Sequence, residues 1–128
     1  MSRITKKSKL LIVDDDEATR ILIIGILEDI QISFLESHSG KDAISLFKKH
    51  SSDIVLILLD IHLPDHDGFY LLEQFRTIKP LMPAIAISAL SPSILAHQCS
   101  RAGFNAYLSK PFDIGELLET VNAQLRYS

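Results

Sequence analysis

Four acids in succession, Asp14-Asp-Asp-Glu17, follow directly on the apolar run Lys9–Val13. Asp60 closes the run Ile54–Leu59, Ser88 closes Ala84–Ser88, and Lys110-Pro111 follows Ala106–Leu108. Singly, each has an ordinary explanation. Acids after a strand suit a solvated helix start, where the helix dipole favours negative charge, and a lone Asp or Ser can turn or cap a chain. Their shared position at the ends of separate apolar runs is what those explanations leave over. If the ends meet, three carboxylates, a hydroxyl and an ammonium occupy one small space. Two unit charges of like sign about 4 Å apart repel by about 4 kcal/mol at an effective dielectric near 20, so the cluster needs a cation. A few carboxylates with room for water and a phosphate oxygen are how Mg²⁺ is usually held. A carboxylate beside bound Mg²⁺ can attack a phosphoryl group and become an aspartyl phosphate. That transfer is mainly positioning and charge neutralisation, to which a metal, a lysine and a hydroxyl all contribute.

Such convergence requires the apolar runs to be strands of one sheet. Five short runs suit strands buried on both faces: Lys9–Val13, Ile32–Leu35, Ile54–Leu59, Ala84–Ser88 and, more weakly, Ala106–Leu108. Between and after them lie stretches with helical spacing, at Thr19–Asp29, Lys41–Lys49, Phe69–Thr77, Ser93–Arg101 and Gly115–Arg126. Ser39-Gly-Lys-Asp42 and Asp113-Ile-Gly-Glu116 each put a capping side chain three residues before an acid, a loose capping box at a helix start. Alternating βα units predict an α/β fold, a doubly wound five-stranded parallel sheet covered on both faces. Functional groups in such sheets gather at the carboxyl ends of the strands, near the point where strand order reverses.

The 128 residues suffice for one domain, and 47% hydrophobic and 23% charged residues with a mean hydropathy of +0.20 describe a compact chain rather than a disordered one. The net charge is −3, which argues against a nucleic-acid surface over the whole domain. Arg3, Lys6, Lys7 and Lys9 stand together near the start, leaving nine cations against 16 acids beyond them. Residues 1–8 are therefore read as a basic flexible arm and 9–128 as the domain. Cys99 is the only cysteine, so no intrachain disulfide forms. No apolar stretch approaches the roughly 18–20 residues that span a bilayer, and no signal peptide opens the chain, so a cytoplasmic location without membrane contact is expected.

From Lys9 to about Arg126 the sequence resembles a two-component response-regulator receiver domain. The resemblance is carried by Leu11-Ile-Val-Asp-Asp-Asp16 with Arg20 following, Leu58-Leu-Asp-Ile-His-Leu-Pro-Asp-His-Asp-Gly68, Ile85-Ala-Ile-Ser-Ala89 and Ala102-Gly-Phe-Asn-Ala-Tyr-Leu-Ser-Lys-Pro-Phe112. It implies a flavodoxin-like (βα)5 fold. It implies that Asp60 is the phosphoacceptor and that Asp14 and Asp15 hold Mg²⁺ with Asp60 and the backbone carbonyl of His62. Ser88 matches the hydroxyl that follows the phosphoryl group, Lys110 the lysine that pairs with a phosphoryl oxygen, and Tyr107 the aromatic switch that moves inward on activation. Pro111 matches a proline preceded by a cis peptide bond. The implied function is a phosphorylation-dependent signalling switch that takes its phosphoryl group from a phosphohistidine on a sensor histidine kinase or a histidine phosphotransfer protein. Such a domain catalyses its own phosphorylation and dephosphorylation without being a turnover enzyme. An effector follows downstream, direct nucleic-acid binding is not expected, and a homodimer is left open.

Two departures matter. Ser88 keeps the hydroxyl without a methyl, and His62 stands where the family often has an apolar side chain; its ring either alters the aspartyl-phosphate lifetime or, the favoured reading, points to solvent and leaves the role to its carbonyl. The first helix carries apolar residues nearly all round, so Ile23 and Leu27 either leave apolar surface exposed, which the resemblance would assign to docking the phosphodonor, or pack under the neighbouring helix. His38, His50, His66 and His97 show no metal-ligand spacing and are read as surface residues. An aspartate-nucleophile phosphohydrolase of the haloacid-dehalogenase type is the alternative from another class. It would use Asp14-x-Asp16 but wants Thr or Val where Ala18 stands. A non-phosphorylated pseudo-receiver usually lacks one of the acids or the lysine, and all are present here.

Overall fold

The computed structural model describes residues 4–127, with the side chain of Tyr127 excepted. The elements are β1 (Lys9–Val13), α1 (Glu17–Leu27) running into a 3₁₀ turn (Glu28–Ile30), β2 (Ser33–Ser37), α2 (Gly40–His50), β3 (Ile54–Asp60), α3 (Gly68–Ile78), β4 (Ala84–Ser88), α4 (Pro92–Ala102), β5 (Ala106–Ser109) and α5 (Ile114–Tyr127). All strand pairs are parallel, in the order β2-β1-β3-β4-β5. The order reverses between β1 and β3, so the ends of these two strands flank the switch point. The expected doubly wound sheet is the one observed, with boundaries shifted by a few residues. Helix α1 begins and ends two residues earlier than expected, and β2 begins after Ile32 and runs to Ser37 instead of ending at Leu35. The two residues added to β2 pair with Ile12 and Val13 of β1, a gain in backbone hydrogen bonds that an apolar count along β2 alone does not register.

Alternation along the strands divides the core in two. Leu11, Val13, Ile57, Leu59, Ala84 and Ala86 face α2, α3 and α4, where Phe47 and Phe75 meet with ring centroids 4.8 Å apart. Leu10, Ile12, Leu56, Leu58, Ile85 and Ile87 face α1 and α5, against Ile23, Leu27, Leu117, Val121 and Leu125. Each fully buried Leu or Ile contributes about 1.5–3 kcal/mol relative to exposure, so both layers hold the sheet rigid between them. Ile23 and Leu27 are 0% exposed, so of the two readings of α1 the packed one holds for this pair and they offer no docking surface. They form the i, i+4 stripe that packs on the sheet, while Ile21 and Leu22 are the exposed pair at 60% and 51%. A helix apolar all round does not reveal which stripe will face the sheet.

Of the basic arm, residues 1–3 lie outside the described residues. Residues 4–8 make a turn leading into β1: the Ser8 amide donates to the Thr5 carbonyl at 3.1 Å and the Thr5 amide to Ser8 Oγ at 2.8 Å, while Ile4 packs against the α1–α5 core. Lys6 and Lys7 are exposed. Among the described residues no helix is long and apolar enough to cross a membrane.

Candidate functional site

Asp14 is the first residue past β1 and is 0% exposed. Its amide donates to the Ser37 carbonyl at 3.0 Å, and its Oδ1 accepts from the Asp16 amide at 2.9 Å. The Arg20 guanidinium donates to the Asp14 carbonyl and, through Nε, to Glu36 at 3.1 Å, so α1 and β2 together fix the peptide that carries the acids. Asp60 ends β3 at 6% exposure, and its Oδ1 accepts from the His62 amide at 2.9 Å. Asp15 is exposed, yet one carboxylate oxygen each from Asp14, Asp15 and Asp60 lie within 4.8 Å of one another. Asp16 and Glu17 stand apart from this group: Asp16 accepts from the Thr19 hydroxyl at 2.6 Å, and Glu17 opens α1.

The cation is Lys110, the first residue past the edge strand β5, which reaches Asp14 at 3.0 Å and Asp60 at 3.5 Å. Its amide donates to the Ser88 carbonyl at 2.7 Å, and the Lys110–Pro111 bond is cis, as the resemblance implies. Burial raises the pKa of Asp14 above the usual carboxylate value, against the pull of the Asp16 amide and Lys110. For Lys110, burial disfavours the charge, but the hydrogen bond to Asp14 and the negative charges of Asp60 and Asp14 together raise its pKa. The lysine is therefore charged at neutral pH and bridges two carboxylates that would otherwise repel.

Strand register pairs Asp60 with Ile87 and Ser88 with Ser109, which sets Ser88 one residue beyond the neighbour of Asp60. Ser88 is 0% exposed, and its Oγ accepts from the Leu90 amide at 3.0 Å. Tyr107 lies on β5 with 40% exposure, its ring outward. The His62 side chain is exposed, and residue 62 pairs with Asp67 in a short antiparallel bridge. Gly68 allows the chain to turn into α3, because a Cβ there would stand 2.7 Å from the Ile61 Cα. Of the remaining histidines, His38 and His97 are exposed, His50 is half-buried, and His66 is half-buried against Tyr70 with ring centroids 5.1 Å apart.

The acidic donors suit a hard divalent ion: three carboxylates at mutual reach, one of them open to solvent, with a backbone carbonyl two residues past Asp60. Asp14, Asp15, Asp60, Ser88 and Lys110, all expected at one rim of the sheet, lie there in the fold. Asp65 has no role legible in the sequence, yet its carboxylate accepts from the Gly40 and Lys41 amides at 2.9 Å each. The glycine at the start of α2 was the available signal, since it marks a close approach by another segment.

Residues 10–122 match the family model for the response regulator receiver domain. The chain is 30% identical over 118 residues to the chemotaxis protein CheY of Bacillus subtilis, covering 91% of this chain and 97% of that protein. It is 35% identical over 118 residues to the transcriptional regulatory protein HprR of Escherichia coli, covering 92% of this chain and 52% of that one. Among its transcriptional relatives it spans as little as 27% of the length, in ZraR of Salmonella typhimurium. The crystal structure of a CheY-like receiver domain from Methanospirillum hungatei superposes with a TM-score of 0.83 at 28% identity, over 94% of each chain. With the carboxylates, the lysine and the hydroxyl at the switch point of this sheet, the chain belongs to the response regulator receiver domain family.

Proposed function

We propose that this receiver domain is an active phosphorylation switch with Asp60 as its acceptor. The observation that carries the reading is the placement of Asp60 between Lys110, at 3.5 Å, and the acids Asp14 and Asp15. Asp14, Asp15, Asp60 and the His62 carbonyl would hold Mg²⁺. When bound, Mg²⁺ neutralises charge on the phosphoryl oxygens and on the carboxylates around them. An Asp60 carboxylate oxygen attacks phosphorus, a new P–O bond forms, and the bond to the donor breaks. The leaving group is the imidazole of a phosphohistidine, which takes up a proton from water, or acetate from acetyl phosphate. Hydrolysis later breaks the acyl phosphate with water and returns the free carboxylate. Lys110 pairs with a phosphoryl oxygen as a point charge.

Readout follows from Ser88 and Tyr107. A phosphoryl group on Asp60 offers new acceptors, the Ser88 hydroxyl turns to donate to one, and the vacated space admits the Tyr107 ring. The phosphoryl donor is a histidine kinase or a phosphotransfer protein, the location cytoplasmic, and the output an effector that reads the changed α4–β5 surface. Incubation with acetyl phosphate tests the reading by intact mass. One added phosphoryl group that needs Mg²⁺ and is lost on chelation or in Asp60→Ala is expected. A wild-type protein that stays unmodified overturns the reading in favour of a pseudo-receiver, and continuous release of phosphate from unrelated phosphomonoesters favours a phosphohydrolase.

A further inference from the structure

We propose that Asp65 is a positioning residue for the phosphorylation site: it fastens the loop after Asp60 to α2 and so holds the His62 backbone carbonyl where it can serve a cation. The inference rests on the reading of Asp60 as the acceptor. The neck of that loop closes on itself, with the Gly68 amide donating to the Ile61 carbonyl at 3.0 Å and residues 62 and 67 bridged. The tip, residues 64–66, lies outside the neck. Its tie is Asp65, whose two oxygens accept from the Gly40 and Lys41 amides, 25 and 24 positions away.

Those amides begin α2, and a helix start leaves four donors without helical partners. The assignment of donors here is complete. Ser39 goes to Ser37 Oγ at 3.4 Å, Gly40 and Lys41 go to Asp65, and Asp42 goes to Ser39 Oγ at 3.1 Å, while Ala43 makes the first helical bond, to the Ser39 carbonyl at 3.0 Å. A carboxylate at this end is also favoured by the helix dipole. The approach is close: a Cβ on Gly40 would lie 2.9 Å from the His66 Cβ and 3.2 Å from the Asp65 Oδ1. The His66 ring, on the same tip, packs on Tyr70 of α3. Thus the loop is braced on one side by α2 and on the other by α3.

The brace matters because of the kind of ligand it carries. A carboxylate ligand can adjust through its side-chain torsions, whereas a backbone carbonyl moves only with its loop. Its placement must come from the loop's anchors, as supporting hydrogen bonds orient metal ligands generally. Asp65 touches neither the cation nor the phosphoryl group, and acts through the backbone of residues 62–65.

The experiment compares Asp65→Ala with Ser39→Ala by calorimetric Mg²⁺ titration, and by amide exchange of residues 61–67 without metal. Both substitutions remove a cap from the same helix end, but only the first frees the loop. Asp65→Ala is expected to speed loop exchange at least tenfold and weaken Mg²⁺ binding at least threefold, with phosphorylation by acetyl phosphate recovering at saturating Mg²⁺. Ser39→Ala is expected to cost stability while leaving Mg²⁺ affinity unchanged. Gly40→Ala provides a second variant should Asp65→Ala unfold. It improves helix propensity, yet its Cβ displaces the tip, so weaker Mg²⁺ binding in a stable protein is expected. Equal Mg²⁺ affinities in Asp65→Ala and wild type, or equal losses in Asp65→Ala and Ser39→Ala, overturn the inference. Failure of the wild type to bind Mg²⁺ overturns the reading of the acidic cluster and this inference with it.

Discussion

The Lys110 ammonium stands 3.5 Å from Asp60, across 50 positions of sequence, and closer still, at 3.0 Å, to the wholly buried Asp14. It is the resident cation of a cluster that would otherwise be three facing carboxylates. Lys110→Ala should therefore destabilise the metal-free protein by about 1–3 kcal/mol, the range for leaving a buried group without its partner. Added Mg²⁺ should restore much of the loss. Thermal melts with and without Mg²⁺ check this, and a Lys110→Ala protein as stable as wild type without metal contradicts it.

Tyr107 and Ser88 are placed as an unengaged pair, the ring 40% exposed and the hydroxyl buried on the Leu90 amide. Phosphorylation should bury Tyr107, and Ser88→Ala should accept phosphate from acetyl phosphate while Tyr107 stays outward. Fluorotyrosine NMR follows the ring directly. A Tyr107 signal that moves equally in both proteins separates the ring from the hydroxyl and ends the proposed coupling.

Leu22 lines a groove with Thr19, Lys110, Pro111 and Phe112, beside the acidic cluster. Leu22→Asp should slow transfer from a histidine-phosphorylated partner about tenfold, equivalent to about 1.4 kcal/mol, and leave the acetyl phosphate rate nearly unchanged. Ile23→Asp should unfold the protein, because Ile23 is 0% exposed. Equal slowing of Leu22→Asp with both donors would place its effect in the chemistry rather than in docking.

The amides of Gly40 and Lys41 hold the Asp65 carboxyl below its usual pKa of 3.8. A depressed folded pKa contributes stability that is present above 3.8 and is lost as pH falls through the lower folded value. Asp65→Asn should thus be less stable than wild type at pH 7, with the gap closing below pH 3.8. Paired melting curves from pH 7 to pH 3 read this, and a gap that widens on acidification refutes it.

Much of the fold was legible because the two periodicities are clean: alternating apolar strands divide between two helical layers, and Phe47 and Phe75 fall on the buried side of theirs. The rim was legible as well, because Asp14, Asp60, Ser88 and Lys110 each stand at the end of a run and parallel strands bring those ends together. The buried stripe of α1 was not, since Ile21 through Leu27 are nearly all apolar and the direction of the sheet is tertiary information. Asp65 was equally opaque. Its partners are backbone amides, which carry no residue identity, and only the crowding around Gly40 marks them.

Locating the phosphoryl group tests the central claim most directly. Wild-type protein treated with acetyl phosphate and Mg²⁺, reduced with borohydride and digested, should yield a peptide in which residue 60 has become homoserine. Modification at Asp14, Asp15 or a histidine, with residue 60 intact, would contradict the account.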